Sequence, residues 1–244
     1  GPIVRAAEFL PQLKELHDPR RIDASRAFFL IAIGMFKKVV IANFLATHIV
    51  DAVFAAPGRH SSLELLVGVY AYAVQIYADF SGYTDMAIGL ALLLGFRFPQ
   101  NFDGPYTATS LQDFWRRWHM TLSRWLRDYL YIPLGGNRGT SLRTYRNLMI
   151  TFVLGGLWHG AAWTFVVWGA IHGGFLSYEH WQRERRTTAG LEPLPDTARR
   201  RAVQRLVTFN VVCLAWIFFR AESLANAFDV LGGIVNPSNW FEAS

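Results

Sequence analysis

Charge is scarce in this sequence. Asp, Glu, Lys and Arg make up 17% of its 244 residues, whereas hydrophobic residues make up 52%. Soluble domains are about a quarter charged, so this deficit indicates a membrane protein. Cysteine occurs once, at Cys213, which excludes an internal disulfide and a paired-thiol redox motif. No spacing of Cys and His residues is typical of a zinc site.

The basic residues do not indicate a nucleic-acid partner, although the net charge is +6. They lie mostly between apolar runs, as the positive-inside rule expects for cytoplasmic loops, and residues 147–178 contain no Asp, Glu, Lys or Arg. Arg20, Arg21 and Arg26 predict that residues 1–26 form a cytoplasmic juxtamembrane loop or surface helix. The sequence begins with glycine rather than methionine, and we expect it to be a fragment of a longer protein.

The first apolar region, Ala27–Ala56, is long enough to cross the hydrocarbon layer, which takes about 20 residues. Lys37 and Lys38 interrupt it, and two ammonium groups at mid-span are costly. Either the helix breaks there and the pair reaches an interface, or the pair lines a polar cavity. We favour a break, or side chains that extend to the interface.

The second apolar region, Leu65–Phe96, contains Asp79 and Asp85 as its only charged residues. Six residues correspond to about 240° around a helix, so the two acids do not share a face. A catalytic carboxylate pair would therefore need a helix break, for which Gly82 is a plausible position. We favour the alternative that each acid caps a broken helix or pairs with a buried arginine, although intramembrane acids are otherwise candidates for function.

An amphipathic helix is predicted over Leu111–Tyr131, after a loop at 97–110, with Ser110 or Thr109 as its cap and Asp113 in its first turn. At about 100° per residue, apolar and aromatic side chains share one face and arginines the other. The apolar face contains Trp115, Trp118, His119, Leu122, Trp125, Leu126 and Tyr129. The cationic face contains Arg116, Arg117, Arg124 and Arg127. This pattern is typical of a helix in the membrane interface, and by itself it favours packing over function for His119.

Ile132–Gly139, which reads IPLGGNRG, ends this helix. It is neither a phosphate loop of the GxxxxGK[ST] type nor a GxGxxG dinucleotide loop. Its backbone N–H groups, with Arg138, Arg143 and Arg146 nearby, could still receive phosphate groups. A basic cytoplasmic loop is the simpler interpretation.

The uncharged run Asn147–Tyr178 is too long for one straight membrane helix. It would reach roughly 48 Å, against a hydrocarbon layer of about 30 Å. We predict that it tilts or breaks, with the break at Gly155–Gly156 and Gly160. Irregular backbone at membrane depth persists only inside protein or beside a wet cavity, so His159 is a candidate general base. The alternative is that His159 hydrogen-bonds a freed carbonyl group, and His172 is expected to pack.

The remaining quarter of the chain alternates between polar and apolar character. Glu179–Arg205 is basic and contains prolines, and it predicts a cytoplasmic loop. Leu206–Phe219 is a third apolar run, extended in reach by Arg205 and Arg220 at its ends. The tail predicts a partly amphipathic helix that ends around Gly232–Gly233.

Four segments resemble motifs of the membrane-bound O-acyltransferases, within the branch that acetylates polysaccharides such as alginate. They are Gln75–Gly89 (QIYADFSGYTDMAIG), Pro99–Tyr106 (PQNFDGPY), Asp113–Arg138 (DFWRRWHMTLSRWLRDYLYIPLGGNR) and Gly155–Phe165 (GGLWHGAAWTF). The motifs are long and together highly specific, and the resemblance extends over most of the chain. The branch that transfers D-alanine to teichoic acids shares the first and third segments in part, whereas the PLGGNR stretch is similar to the polysaccharide branch.

The resemblance implies an all-α, polytopic membrane fold in which tilted and broken helices form a ring around a central tunnel. The whole of 1–244 would be one membrane-embedded core, with 111–146 as its interfacial helix and basic loop. His159 matches the near-invariant histidine at the family's reaction centre, and His119 matches a second position, Asn or His, at the tunnel. Other residues of these segments are expected along the substrate tunnel: Trp158, Trp115, Trp118, Asp79, Ser81, Tyr83 and Asp85. Donor phosphates are expected to meet Arg116, Arg117, Asn137 and Arg138.

The resemblance also implies a function, which is acetyl transfer by a multi-pass protein of the bacterial inner membrane. Acetyl-CoA would be the donor, without a bound cofactor or metal. His159 would act as general base or orient the thioester, and His119 would position or polarise the reacting group. The expected partners are periplasmic acetyltransferase proteins, a polysaccharide acceptor and membrane lipid. The alternative is a non-catalytic conduit or an anchoring subunit of a polysaccharide export complex, in which both histidines would be replaceable.

Overall fold

The chain folds into helices joined by short segments. The computed structural model describes residues 2–14, 20, 22–192, 194–236 and 240. No β-strand occurs in this part, which confirms the predicted all-α class. The helices are α1 (Ala6–Leu13), α2 (Ala24–Ala55), α3 (Ser62–Leu93), α4 (Leu111–Arg117), α5 (Met120–Leu126), α6 (Ser141–His159), α7 (Trp163–Thr188), α8 (Ala198–Arg220) and α9 (Leu224–Val235). Arg21 of the predicted basic cluster lies outside the described residues.

Among the described residues, α2, α3 and α8 are the helices long and apolar enough to cross a membrane. They cover the three predicted runs Ala27–Ala56, Leu65–Phe96 and Leu206–Phe219 to within three residues. The short helix α1 falls within residues 1–26, where a loop or a surface helix is predicted. Apolar length therefore located these helices well, because crossing the hydrocarbon layer requires it.

The lysines in the middle of α2 are ion-paired, and the helix does not break there. It continues through π-helical turns, the first of them at Phe36–Ala42. Lys37 Nζ lies 2.7 Å from Asp85 Oδ2, and Lys38 Nζ lies 2.5 Å from Asp79 Oδ1. The predicted break at the lysines is therefore wrong, and so is the predicted pairing of the two acids with arginine. The cations of α2 and the anions of α3 neutralise each other.

Gly82 does not interrupt α3 either, which contradicts the break predicted there. A Cβ on Gly82 would lie 2.6 Å from the carbonyl oxygen of Gly34, and a Cβ on Gly34 would lie 2.5 Å from that of Gly82. The backbones of α2 and α3 therefore touch at this level. Their close approach brings the lysines of α2 within reach of the acids of α3.

The helices α6 and α7 form an antiparallel hairpin with its tip at Gly160. The predicted break at Gly160 is confirmed, because α6 ends at His159 and extended backbone leads to the start of α7 at Trp163. The other predicted break, at Gly155–Gly156, is wrong, since both glycines lie within α6. A Cβ on the second of them would lie 2.2 Å from the carbonyl oxygen of Phe165. These glycines serve close helix packing rather than a kink.

Helices α7 and α8 extend beyond their apolar runs. Glu179–Arg205 is predicted to be a loop, but α7 continues to Thr188 and α8 begins at Ala198. The prediction is wrong at both ends of this segment because Arg and Glu are good helix formers. In this segment the apolar run ends, but the helix continues. The last helix, α9, ends at Val235, close to the end predicted at Gly232–Gly233.

Tryptophans from four segments meet in the core. The Trp216 ring of α8 lies 5.1 Å from that of Trp118 and 6.2 Å from that of Trp168, between ring centroids. The Trp115 ring of α4 lies 5.9 Å from Trp168. This aromatic layer joins α4, the α6–α7 hairpin and α8, and the candidate site is built on it.

Candidate active site

The predicted helix Leu111–Tyr131 is broken in the structure. The first part, α4, ends at Arg117, and α5 begins at Met120. Trp118 between them is extended, and His119 has φ 42° and ψ 52°, in the left-handed region. The prediction of a single continuous helix is therefore wrong. Residues other than glycine rarely adopt this conformation, although histidine does so more often than most.

Asn101, in the loop before α4, stabilises this break from a distance in the sequence. Its Oδ1 accepts hydrogen bonds from the Thr121 backbone N–H at 3.1 Å and from the Thr121 hydroxyl at 2.9 Å. Its backbone carbonyl accepts a third from the Met120 N–H at 3.0 Å. These bonds occupy N–H groups that would otherwise lack partners at the start of α5. The break is thus imposed by tertiary contacts rather than by a local helix breaker.

The start of α4 is capped by its own serine and by a residue of α7. As predicted, the Ser110 hydroxyl oxygen accepts a hydrogen bond from the Asp113 N–H, at 3.0 Å. The Glu179 carboxylate accepts hydrogen bonds from the N–H groups of Leu111 at 2.6 Å and Gln112 at 3.2 Å. A carboxylate at a helix N-terminus is favourable because the helix dipole is positive there. Helices α4 and α7 are therefore bound together at this end.

His119 lies in the interior, and its side chain faces Phe80 and Trp158. It is 3% exposed. Its ring centroid lies 4.7 Å from that of Phe80, edge to face, and 6.4 Å from that of Trp158. The Trp158 ring lies 4.9 Å from the His159 ring. The two histidines that the resemblance singles out therefore meet the same indole, although they lie far apart in the sequence.

His159 is the last residue of α6 and is half-buried against aromatic rings. Its ring centroid lies 5.4 Å from that of Trp168 and 5.0 Å from that of Phe219. In the described part of the chain, its imidazole makes no hydrogen bond to a freed carbonyl group, which was the alternative interpretation of this position. Also within the described residues, no group of three or more His, Cys, Asp or Glu side chains could hold a metal ion.

A cavity of about 1040 Å³ lies between α4–α5 and the α6–α7 hairpin. Its lining differs between the two ends. Near the open ends of the hairpin, arginines dominate, and the lining includes Arg116, Arg124, Arg127, Arg183 and the opposing acid Glu184. Toward the middle of the hairpin the lining is apolar, with Trp115, Leu126, Leu148, Phe152 and Leu176. The cavity can accept a ligand with an anionic end and an apolar end.

The inner end of this cavity approaches His159. Phe152 lies two helical turns before His159, which is roughly 11 Å along α6. Leu126 packs between these levels, because a Cβ on Gly155 would lie 3.3 Å from Leu126 Cδ1. The cavity and His159 thus share one face of the hairpin, with Leu126 between them.

The predicted donor-binding residues divide between the cavity and its surroundings. Arg116 and Asn137 line the cavity, whereas Arg117 and Arg138 do not. Arg117 Nε instead donates to Asp113 Oδ1 at 2.8 Å. Arg183 also lines the cavity, but the sequence did not predict it as a donor-binding residue. Its polar segment was predicted to be a loop, because the helix was expected to end where the apolar run ends. Continuing the helical period past Glu179 would have placed it on this face.

Asp128, beside the arginine-rich end of the cavity, is held by two guanidinium groups. Arg127 Nε and Arg5 Nη2 each donate to its carboxylate at 2.6 Å. The hydrogen bond from Arg127, assisted by Arg5, lowers the pKa of Asp128 to about 2. Asp128 is therefore ionised at neutral pH, and it neutralises part of the charge of Arg127 at the cavity wall.

The predicted tunnel residues of α3 lie in different surroundings. Asp79 and Asp85 face α2 and its lysines. The Ser81 hydroxyl is buried without a hydrogen-bond partner in the part of the chain described, and Tyr83 is about half exposed. Phe80, also on α3, contacts His119. Their roles in a tunnel stay predictions, as does the ring arrangement of the helices.

The sequence predicted a packing role for His172 and missed its hydrogen bond. Its side chain is fully buried on α7, and the Trp115 Nε1–H donates to its Nδ1 at 3.2 Å. No local signal distinguishes this histidine, because its partner lies on another helix. A histidine four residues after Trp168 on one helical face was the available hint.

Comparison with known proteins identifies the family whose motifs the sequence resembles. The model of the membrane-bound O-acyltransferase family matches residues 1–224. A peptidoglycan O-acetyltransferase from Helicobacter pylori is 45% identical, over 96% of this chain and 44% of its own length. A probable alginate O-acetylase AlgI from Azotobacter vinelandii is 44% identical, over 98% of this chain and 46% of its own length. A teichoic acid D-alanyltransferase from Streptococcus thermophilus is 30% identical, over 90% of this chain and 57% of its own length. The chain spans about half the length of the curated relatives it matches.

Proposed function

Because the chain belongs to the membrane-bound O-acyltransferase family, we propose that it carries the reaction centre of a membrane-embedded O-acetyltransferase. Acetyl-CoA is the donor and approaches from the cytoplasm. The acetyl group leaves on the opposite side of a bacterial inner membrane, which the protein crosses several times. The names of the peptidoglycan and alginate relatives support an acetyl group and a polysaccharide as its final acceptor.

The cavity supports this proposal because its two ends suit the two parts of acetyl-CoA. Arginine binds phosphate groups strongly through paired N–H donors, and four arginines line one end of the cavity. The thioester arm is long and largely apolar, which suits the opposite end. That end points along α6 toward His159. The acetyl group would pass Leu126 to reach the histidines.

In the proposed reaction His159 accepts the proton of the acceptor hydroxyl, whose oxygen attacks the thioester carbonyl carbon. The tetrahedral intermediate collapses, the C–S bond breaks, and the imidazolium returns its proton to the leaving thiolate. General base catalysis of this kind contributes about 10²- to 10⁴-fold. The aromatic rings around His159 support the role because a site that excludes water protects the thioester from hydrolysis.

His119 and Trp158 would orient the reactants. His119 is buried and held by a fixed backbone, which suits a residue that positions or polarises a carbonyl group. The exposed Trp158 indole, which contacts both imidazoles, would form the face against which the acceptor docks. The immediate acceptor would be a hydroxyl group of a periplasmic partner protein or of the polymer itself.

One observation carries the proposal more than any other. His119 and His159 come from separate helical segments and converge on Trp158, at the side of the hairpin toward which the cavity points. A non-catalytic conduit or anchoring subunit gives no reason for imidazoles from two helix junctions to meet at one indole, beside a cavity with cationic and apolar ends.

The test uses the full native protein in inverted membrane vesicles with its partner proteins present. Radiolabelled acetyl-CoA is supplied on the cytoplasmic face, and label in protein or polysaccharide is measured. We expect His159→Ala to lower the transfer rate by about 10²-fold or more. His48→Ala is the matched control, because His48 contacts Phe44 on α2, away from the site, and it should leave transfer unchanged.

The outcomes separate the two functions. Equal transfer by wild type and His159→Ala would move the reaction centre elsewhere. Absence of transfer by a folded, inserted wild type with its partners would favour the conduit or anchor. Loss of transfer in His159→Ala alone, with both variants inserted at wild-type levels, would support the proposed chemistry.

A further inference from the structure

His172 occupies the centre of a closed aromatic cluster. It is 0% exposed. Its ring centroid lies 4.8 Å from that of Trp168 and 5.2 Å from that of Trp115. The rings of Phe114 and Phe152 lie 6.3 Å and 6.0 Å away and nearly parallel to it. An apolar side chain of similar volume would fill the same space, so packing alone does not explain an imidazole here.

The side-chain hydrogen bond from Trp115 fixes the state of the His172 imidazole. An indole N–H can only donate, so Nδ1 of His172 accepts and the ring proton lies on Nε2. Within the described residues, that Nε2–H has no acceptor, and neither has the Nε1–H of Trp168. Buried donors without acceptors are costly and require an explanation. Burial of His172 is therefore costly, and the side-chain hydrogen bond that it makes in return is the one from Trp115.

The two tryptophans that His172 contacts belong to different parts of the candidate site. Trp115 lines the cavity proposed for the donor. Trp168 packs against the imidazole of His159. His172 contacts both without lining the cavity itself. It therefore lies between the wall that the donor would touch and the ring that supports the reaction-centre histidine.

We propose that His172 is a positioning residue for acyl transfer. Its Nδ1 holds the Trp115 indole in the orientation that forms the inner cavity wall, and its ring supports Trp168 behind His159. It does not touch the substrate. This inference rests on the proposed function, because the role is defined by the binding and transfer of a thioester donor.

The test measures the KM for acetyl-CoA and the kcat for transfer in membrane vesicles of the full native protein. Trp115→Phe keeps the ring and removes the donor N–H, and we expect it to raise KM by about 3- to 10-fold, the usual worth of one hydrogen bond. His172→Leu should raise KM equally and also lower kcat, because Trp168 loses its support. The double variant should have the KM of either single variant, since both remove the same bond.

Two further variants give the test its controls. His172→Asn keeps an acceptor oxygen near the position of Nδ1 and should recover most of the wild-type KM. Trp125→Phe removes an indole N–H from an exposed residue that does not line the cavity, and it should leave KM unchanged. A merely structural role for His172 would not give rescue by asparagine together with a KM effect shared with Trp115→Phe.

Several results would overturn the inference. An unchanged KM in Trp115→Phe would show that the hydrogen bond does not shape donor binding. Multiplied KM effects in the double variant would show that the two residues act independently. If His172→Leu fails to fold, the comparison of Trp115→Phe, His172→Asn and their double variant decides, and the double must equal Trp115→Phe. Absence of transfer by the wild type would overturn both the proposed function and this role. Transfer by the wild type, with the same KM for acetyl-CoA in every variant, would overturn this role alone.

Discussion

Substitution of Gly169 by alanine tests the packing that places His159. An added Cβ would lie 2.2 Å from the Phe152 carbonyl oxygen and 2.9 Å from Val153 Cα. These atoms are backbone of α6 and cannot rotate away. The facing helices would have to separate by roughly 1 Å to restore ordinary contact. A Cβ on Gly174, on the same helix, would have nothing within 4 Å apart from its chain neighbours and the nearby backbone of its own helix, and Gly174→Ala is the matched control.

The expected change in the free energy of unfolding has two contributions from the substitution by alanine. Alanine is favoured over glycine in a helix interior by about 1 kcal/mol, and this gain is common to both variants. Overpacking at Gly169 costs about 1–3 kcal/mol more. The difference between the variants therefore reports the steric term alone. For a protein of about 150–250 residues this difference corresponds to about 2–12 °C in Tm, and the shift is smaller for a longer native protein.

The assay is thermal unfolding of the purified full native protein in detergent, followed by tryptophan fluorescence, with transfer activity measured in parallel. Gly174→Ala should unfold at or above the wild-type Tm, and Gly169→Ala should unfold below it. Gly169→Ala should also lower the transfer rate, because separated helices displace His159 from Trp168. Equal Tm values for the two variants would refute the backbone contact between α6 and α7.

Two further predictions concern the broken helix and the ion pair between Lys37 and Asp85. His119→Asn should keep the Tm near wild type because asparagine tolerates the left-handed region, whereas His119→Val should lower stability by about 1–3 kcal/mol. Lys37→Met should destabilise the protein by about 1–3 kcal/mol by leaving the partly buried Asp85 without its cation, and a second substitution, Asp85→Asn, should recover most of that loss. Both are measured as shifts in Tm.

Each of these has a result that would contradict it. Equal Tm values for His119→Asn and His119→Val would show that backbone conformation at this residue is not a constraint. Additive losses in the Lys37→Met and Asp85→Asn double variant would show that the two charges do not interact. Insertion level, measured by protease protection in vesicles, separates a folding defect from a failure to insert.

Features that depend on apolar length were predictable from the sequence. The spans α2, α3 and α8 follow from runs that match the hydrocarbon thickness. The break at Gly160 follows because Asn147–Tyr178 is too long to cross once. The position of His159 at that break was predictable for the same reason, since glycine next to it supplies the flexible joint.

Features that depend on partners distant in the sequence were not predictable. The break at Trp118–His119 contains neither glycine nor proline, and the amphipathic period continues through it. Asn101 stabilises it from 20 residues away. The lysine partners of Asp79 and Asp85 lie 41 and 48 residues away. A local pattern can show that a charge needs a partner, but only the packing of α2 on α3 selects which one.

The polar segment after Glu179 was wrongly predicted for a different reason, because loss of hydrophobicity was taken as the end of a helix. Arg183 lies on a helix that continues beyond the membrane-length run, and Glu179 on the same helix caps α4. Hydrophobicity reports where a helix can be immersed, whereas helix propensity reports where it can exist. The arginine-rich end of the cavity is built in the region where these two properties differ.

The ion pairs between α2 and α3 have a consequence for how the protein enters the membrane. Each charged residue at the centre of a single helix raises the cost of its insertion by about 2.5–3.5 kcal/mol. Alone, α2 would carry Lys37 and Lys38, and α3 would carry Asp79 and Asp85, so each is a poor candidate for independent insertion. Paired, the four charges sum to zero, and the short connection between the helices keeps them together. The two helices should therefore leave the translocon as one neutral hairpin, with assembly and insertion as a single event.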